Sequence, residues 1–298
     1  MLSPLRDILQ PTRYIMRGSA HAFRRPALSN DSFRAVMYRT VRCPRRFRSS
    51  MARRTVETPA AKVHEQLLAK LNRHRTLSPA DSAALSRLEP RVQNFSRKAD
   101  IVRQGDNPDT AVFVVEGMLG RYHTLAGGDR QYLSFHIAGD LPDIQSLFLT
   151  SMDHSLCAMD RAKIALLPHE QLIEIMRRRP TICFAFWRLT LADAAIFRQA
   201  ITNLGSRPAV ARLAHFFCEQ TVRARQNEVA DGMSCDLPLS QEELGQAMGL
   251  SVVSVNRTMQ LLRRQGFVEF RGQRLTIKNW GKLAAVGGFD PSYLYDAE

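Results

Sequence analysis

Residues 239–277, LSQEELGQAMGLSVVSVNRTMQLLRRQGFVEFRGQRLTI, constrain the fold more than any other stretch of the chain. Ser240 is followed three residues on by Glu243, the spacing of a capping box in which each side chain satisfies a backbone donor of the other. Leu239 and Leu244 stand where a hydrophobic staple fixes the angle of entry, so a helix begins near Gln241. Gly249 suits the left-handed conformation that ends a helix, and Ser251 can cap a second one after a short turn. The spacing predicts a helix-turn-helix.

At about 100° per residue, the second helix carries Val255, Thr258, Met259 and Leu262 on one side and Val253, Asn256, Arg257, Gln260 and Arg264 on the other. After Gly266, the strand-forming runs FVEF and RLTI flank Arg271-Gly272-Gln273, which predicts a β-wing beside the helices. An ordinary amphipathic helix pair with a solvated outer face is the plainer alternative. Caps, turn, basic face and wing agree with one another and favour a DNA-binding module.

The net charge of +14 on 298 residues would suggest a nucleic-acid partner, but it is unevenly placed. Residues 1–56 hold thirteen Arg, no Lys and only Asp7 and Asp31 as acids, leaving 29 bases against 26 acids in the remainder. The case for DNA therefore rests on local faces such as Arg257, Arg263 and Arg264. The five cysteines, Cys43, Cys157, Cys183, Cys218 and Cys235, show no metal-ligand spacing and are expected as reduced thiols of a cytoplasmic protein. No run is read as approaching the roughly 18 apolar residues of a membrane span.

Residues 1–60 form a basic, proline-studded extension expected to lack order by itself. A true start at Met51, a nucleic-acid-binding arm and a targeting segment are the alternatives it leaves open. Residues 63–167 open with two short helical patterns, then turn into β-prone runs separated by Gly-Asp, Asn-Pro and Gly-Gly punctuation; this predicts a β-roll of about eight strands with flanking helices. Residues 168–204 are helical, and from Thr181 to Asn203 they are apolar almost all round, which predicts a two-fold contact with a second copy through Phe186, Leu189, Asp193, Ile196 and Ala200. On that reading a charge at Ala195 or Ile196 would weaken self-association. Gly205 is the expected hinge into a DNA-binding domain at 205–290. The fold class is α+β.

This order of β-roll, long helix and winged helix-turn-helix resembles the Crp/Fnr family of bacterial transcription regulators over about residues 68–290. The resemblance is carried by Gly105-Asp106, Glu116-Gly117 and Gly139-Asp140 in the roll and by SQEELGQAMGLSVVSVNR at the C-terminus. It implies a homodimer whose two recognition helices enter successive major grooves of a palindromic operator, half-sites being about 34 Å apart. Arg257 can offer paired donors to guanine, Asn256 can read a base, and Val252 and Val253 can touch thymine methyls. The family's best-known members carry Glu where Val253 stands, so their operator is not expected here. Ser240, Ser251, Ser254, Gln260, Arg264, Arg271 and Arg274 are candidates for phosphate contacts.

In cyclic-nucleotide-binding members an acid and an Arg hold the ribose and phosphate. The matching positions here are Ile144 and His154, so cyclic AMP is not expected, and Ile144, His154 and Ser155 are left as the candidate effector pocket. The cysteine cluster of the iron–sulfur members is absent, Cys43 standing alone. His123, His136 and His154 supply the alternative, a cupin-like metal- or ligand-binding protein whose helix-turn-helix serves protein contacts, although no acid at ligand spacing accompanies them. No catalytic constellation is recognisable. The resemblance also implies RNA polymerase as a partner, met through residues 227–236 and the Gly127-Gly128 hairpin.

Overall fold

In the computed structural model the described residues are 59–295; the basic extension, Cys43 and Met51 lie outside them. Strand β3 (Thr110–Glu116) explains how the N-terminal half is built. Its sequence TAVFVVE is buried at every position but the last, so both faces must be covered. Successive side chains alternate between two cores. Ala111, Phe113 and Val115 join one that includes residues of α1 (Pro59–His74), α2 (Pro79–Leu85), α3 (His169–Arg178) and α4 (Pro180–Ser206). Val112 and Val114 join the other with Leu119, Leu156 and Ile164.

That second cluster is the interior of the roll. One sheet has the order β1 (Arg91–Phe95), β7 (Ala162–Pro168), β3. The facing sheet runs β2 (Asp100–Val102), β6 (Ser155–Ala158), β4 (Met118–Thr124), β5 (Arg130–Ile137). All pairings are antiparallel. The roll thus has seven strands where about eight were expected; residues 144–148, IQSLF, form a 3-10 turn. Gly117 joins β3 to β4 at φ 88°, and a Cβ there would sit 2.5 Å from the Arg161 carbonyl oxygen, so only glycine fits this corner.

The long helix α4 corrects two expectations. It runs through Gly205 to Ser206, and the chain breaks at Arg207, which is extended because Pro208 disfavours a helical residue before it. By length and composition it is apolar enough to cross a membrane, contrary to the reading that no run comes close. Its inner face is nonetheless in the protein's core, through Ile182, Ala185, Phe186, Leu189 and Ala195.

Helix α5 (Ala209–Gln226) then leads to β8 (Ser234–Asp236), α6 (Gln241–Met248), α7 (Val252–Arg264), β9 (Val268–Arg271), β10 (Arg274–Ile277) and α8 (Trp280–Gly287). Phe135 and Ile137 of β5 share one apolar cluster with Phe216, Phe217, Leu244, Val255 and Leu262. The C-terminal module is therefore packed onto the roll and not strung from it. Arg97 reinforces the junction: its guanidinium donates to both carboxylate oxygens of Glu243, at 2.8 and 2.9 Å, and to the Pro238 carbonyl oxygen.

Candidate nucleic-acid interface

The helix-turn-helix forms as its local signals dictate. The Ser240 hydroxyl accepts from the Glu243 amide at 3.1 Å, and the Ser240 amide donates to the Glu243 carboxylate at 2.7 Å. Gly249 closes α6 at φ 61°, ψ 42°. Ser251 caps α7 by accepting from the Ser254 amide at 3.2 Å. Val255, Thr258, Met259 and Leu262 are the buried residues of α7, the face that its periodicity assigns to the core. Leu239 is half-buried against the apolar cluster that includes Leu244.

The opposite face points outward. Val252 and Val253 are 49% and 70% exposed, an unusual placement for valines at the start of a helix, and Arg257, Gln260 and Arg264 are exposed with them. Among the described residues no hydrogen bond or ion pair holds Arg257 or Arg264. Asn256 is placed differently. Its amide donates to the Gln241 side chain at 3.1 Å and accepts from Gln260 at 2.8 Å, so it bridges the starts of the two helices. Ser240 and Ser251 use their hydroxyls as caps, which fixes where their outer lone pairs point.

The wing has one more strand than expected. β8 pairs antiparallel with β10 and gives the order β8-β10-β9. At its edge Arg271 donates to Glu269, and Arg274 lies 3.3 Å from Asp231 and 3.5 Å from Asp236. Hydrogen bonds from Lys278 and Arg271 hold Glu269 below the usual carboxylate range. These exposed pairs are weak and open to exchange for phosphate. Arg263 stacks over Phe270 with 5.3 Å to the ring centroid, which takes it toward the wing and away from the Arg257 row.

The dimer residues divide. Phe186 and Leu189 are 2% and 9% exposed and belong to the core between α4 and the roll. Asp193 accepts from Arg121 at 2.9 Å, while Ile196 packs against the C-terminal core and Ala200 is half-buried. Ala195 is 3% exposed, so a charge there would disrupt the protomer before any seam. The exposed apolar residues of α4 are instead Phe184, Trp187, Leu191, Ile201 and Leu204.

In the roll, Ile144 is buried in the apolar cluster with Phe113 and Leu147. Ser155 accepts from the Gln104 amide at 2.9 Å. His154 is buried with Nδ1 2.6 Å from the Asp153 carboxylate and Nε2 without a partner among the described residues. Two charged groups buried in this part of the roll carry no local sequence signal. Buried Arg121 donates to Asp193 and to the Pro142 carbonyl oxygen and lies over the Phe197 ring at 5.0 Å. Asp143 is fully buried and accepts from the Val112 amide at 2.7 Å; burial pushes its carboxyl up to about 7. Burial, then Arg121, pushes His136 and His154 below the ordinary imidazole range. His123 is engaged by the Asp153 carbonyl oxygen and His136 by Ser134, each at 2.9 Å. Among the described residues no three His, Cys, Asp or Glu side chains gather as a metal-holding group.

Comparison with known proteins follows the same division. Residues 92–179 match the cyclic nucleotide-binding domain family, and residues 211–286 match the Crp-like helix-turn-helix domain family. The transcriptional activator protein Anr of Pseudomonas aeruginosa is 25% identical over 234 residues, covering 77% of this chain and 94% of that protein. The fumarate and nitrate reduction regulatory protein of Salmonella typhi is 22% identical over 213 residues, covering 72% and 85%. Among solved structures, FixK2 from Bradyrhizobium japonicum has a similar fold, with a TM-score of 0.61 at 22% identity over 67% of this chain and 98% of that one. With both domains matched in their order along the chain, and a helix-turn-helix whose outer face is exposed, this protein belongs to the Crp/Fnr family of DNA-binding transcription regulators.

Proposed function

We propose that the protein acts as a homodimer on a palindromic operator, placing one α7 in each of two successive major grooves. One observation carries this reading. The exposed residues Phe184, Trp187 and Leu191 stand three and four apart along α4, and the same spacing continued through Ala194 and Arg198 reaches exposed Ile201, the pattern of a two-helix seam. Soluble monomers rarely leave such a stripe bare. Two protomers joined there would present two copies of the face bearing Val252, Val253 and Arg257.

On this face Arg257 reads guanine with paired donors and the two valines contact thymine methyls. Asn256, tied to Gln241 and Gln260, sets the register of the reading face. Arg264 and the wing arginines Arg271 and Arg274 contact phosphates, with Ser240, Ser251, Ser254 and Gln260 nearer the helix starts. RNA polymerase and a cytoplasmic location belong to the same reading.

The roll does not fit a cyclic nucleotide. The position that would hold the ribose is Ile144 inside an apolar core, and the position that would hold the phosphate is a buried His154 engaged by Asp153. An iron–sulfur cluster needs four thiolates gathered around it, and the described cysteines Cys157, Cys183, Cys218 and Cys235 stand on four different elements, β6, α4, α5 and β8. Footprinting on a duplex selected from random sequence tests the dimer reading. It predicts two protected half-sites one helical turn apart; a single unpaired protected patch would reject it.

A further inference from the structure

A cavity of about 60 Å³ lies where α1, the roll, α4 and α5 meet, outside the interior of the roll. Lys70, Arg73 and His74 of α1 line it together with His136 and Asp140 of the roll and Arg223 of α5. We infer that this cavity binds a small oxyanion, of the carboxylate or phosphate class, between the N-terminal helix and the helix that leads to the DNA-binding module.

Charge favours an anion there. Asp140 is saturated: it accepts from Lys70 at 2.8 Å, Arg223 at 2.7 Å, Asn227 at 2.9 Å and the Ile137 amide at 3.0 Å. The other lining carboxylate, Asp193, accepts from Arg121, which is not among the lining residues. The lining thus carries three cations, Lys70, Arg73 and Arg223, against two carboxylates, one of which is paired with Arg121 from outside it. Against the upward push of burial, Lys70 and Arg223 hold Asp140 far below the usual carboxylate range, another sign of the positive potential.

His74 supplies the second, independent observation. It is 8% exposed, it lines the cavity, and its Nδ1 has no hydrogen-bond partner among the described residues. A buried ring nitrogen left without a partner is costly and is rare in folded proteins. As the N–H tautomer it is a donor ready for an anionic oxygen. A water needs roughly 10–15 Å³ of such space, so the volume suits a group of about four heavy atoms.

The site lies between elements that fix the DNA-binding module, so its occupant would act as an effector on the regulator proposed above. Binding is measured without DNA, and this proposal can fail while DNA recognition stands. The experiment is thermal unfolding of the full chain with formate, acetate or inorganic phosphate replacing chloride at constant ionic strength. At least one of them should raise the melting temperature saturably. The rise should vanish in Ala192→Phe, which fills the cavity, and the half-saturating concentration should increase tenfold or more in His74→Phe. Hydrogen exchange of the unmodified protein needs no variant, and should show the same salt slowing amides of residues 66–76 and 219–227. A rise equal to that in chloride, one that survives both substitutions, or slowing confined to other segments would each overturn the site.

Discussion

Arg257 stands exposed between two valines and a tied asparagine, and this placement gives it its expected effect. Replacing it with Ala removes paired donors to one base and should lower discrimination between operator and random duplex by roughly 1–3 kcal/mol. Dimerisation, measured by sedimentation, should be unchanged. An unaltered specificity ratio would remove Arg257 from the reading face. Ser240→Ala should act on stability instead, because it opens the capping box at the start of α6. A loss of about 1 kcal/mol is expected, read as a shift in the midpoint of urea unfolding. Glu243 is doubly engaged, by Ser240 and by Arg97. Arg97→Ala should therefore speed hydrogen exchange in α6 while the roll keeps its protection; equal exchange in both proteins would deny the clamp a role.

Among the elements, α4 separates what the sequence shows from what it hides. Its length and apolar character are plain in TICFAFWRLTLADAAIFRQAITN, but a helix with so few polar residues carries no marker of which side faces the roll. Packing decides this, and it buries Phe186 and Leu189 while leaving Trp187 and Leu191 bare. Trp187→Asp or Leu191→Asp should weaken self-association by tenfold or more with the protomer still folded, whereas Phe186→Asp should prevent folding. Sedimentation and circular dichroism together distinguish the two. In contrast, α6 and α7 were legible almost to the residue, since their caps and turn depend on neighbours three or four positions away. Strand β8 was missed because three residues around Cys235 have no periodicity to read, and only their pairing with β10 makes them a strand. Arg121–Asp193 and Arg97–Glu243 join residues far apart in the chain, and no local pattern announces either pair.

At the scale of the whole molecule, the buried histidines make stability depend on pH. Burial first, and then nearby Lys70 and Arg188 for His74 and Arg207 for His215, lower both imidazoles to about 4. Each is neutral when folded and has an ordinary value of 6.5 when unfolded. Their contribution is present above 6.5 and is lost as pH falls toward 4, because the unfolded chain binds the proton first. Asp143, raised to about 7 by burial, works in the opposite sense, binding its proton when folded and adding stability as pH falls. His136, His154 and His169 shift in the same sense as these two histidines and Glu219 in the same sense as Asp143, so stability should decline as pH falls between these limits. His215→Phe should flatten the decline, since Tyr293 keeps its 2.7 Å bond to Glu219. An unchanged slope in urea unfolding at a series of pH values would show that His215 is not among the titrating groups.

The central claim is that a doubled α7 recognises one DNA sequence in preference to others. The most direct test is the ratio of dissociation constants for a duplex selected from random sequence and for a scrambled duplex of the same length, at one moderate salt concentration. Specific recognition by a protein of this kind predicts a ratio of roughly a thousand or more. A ratio near one would contradict the account.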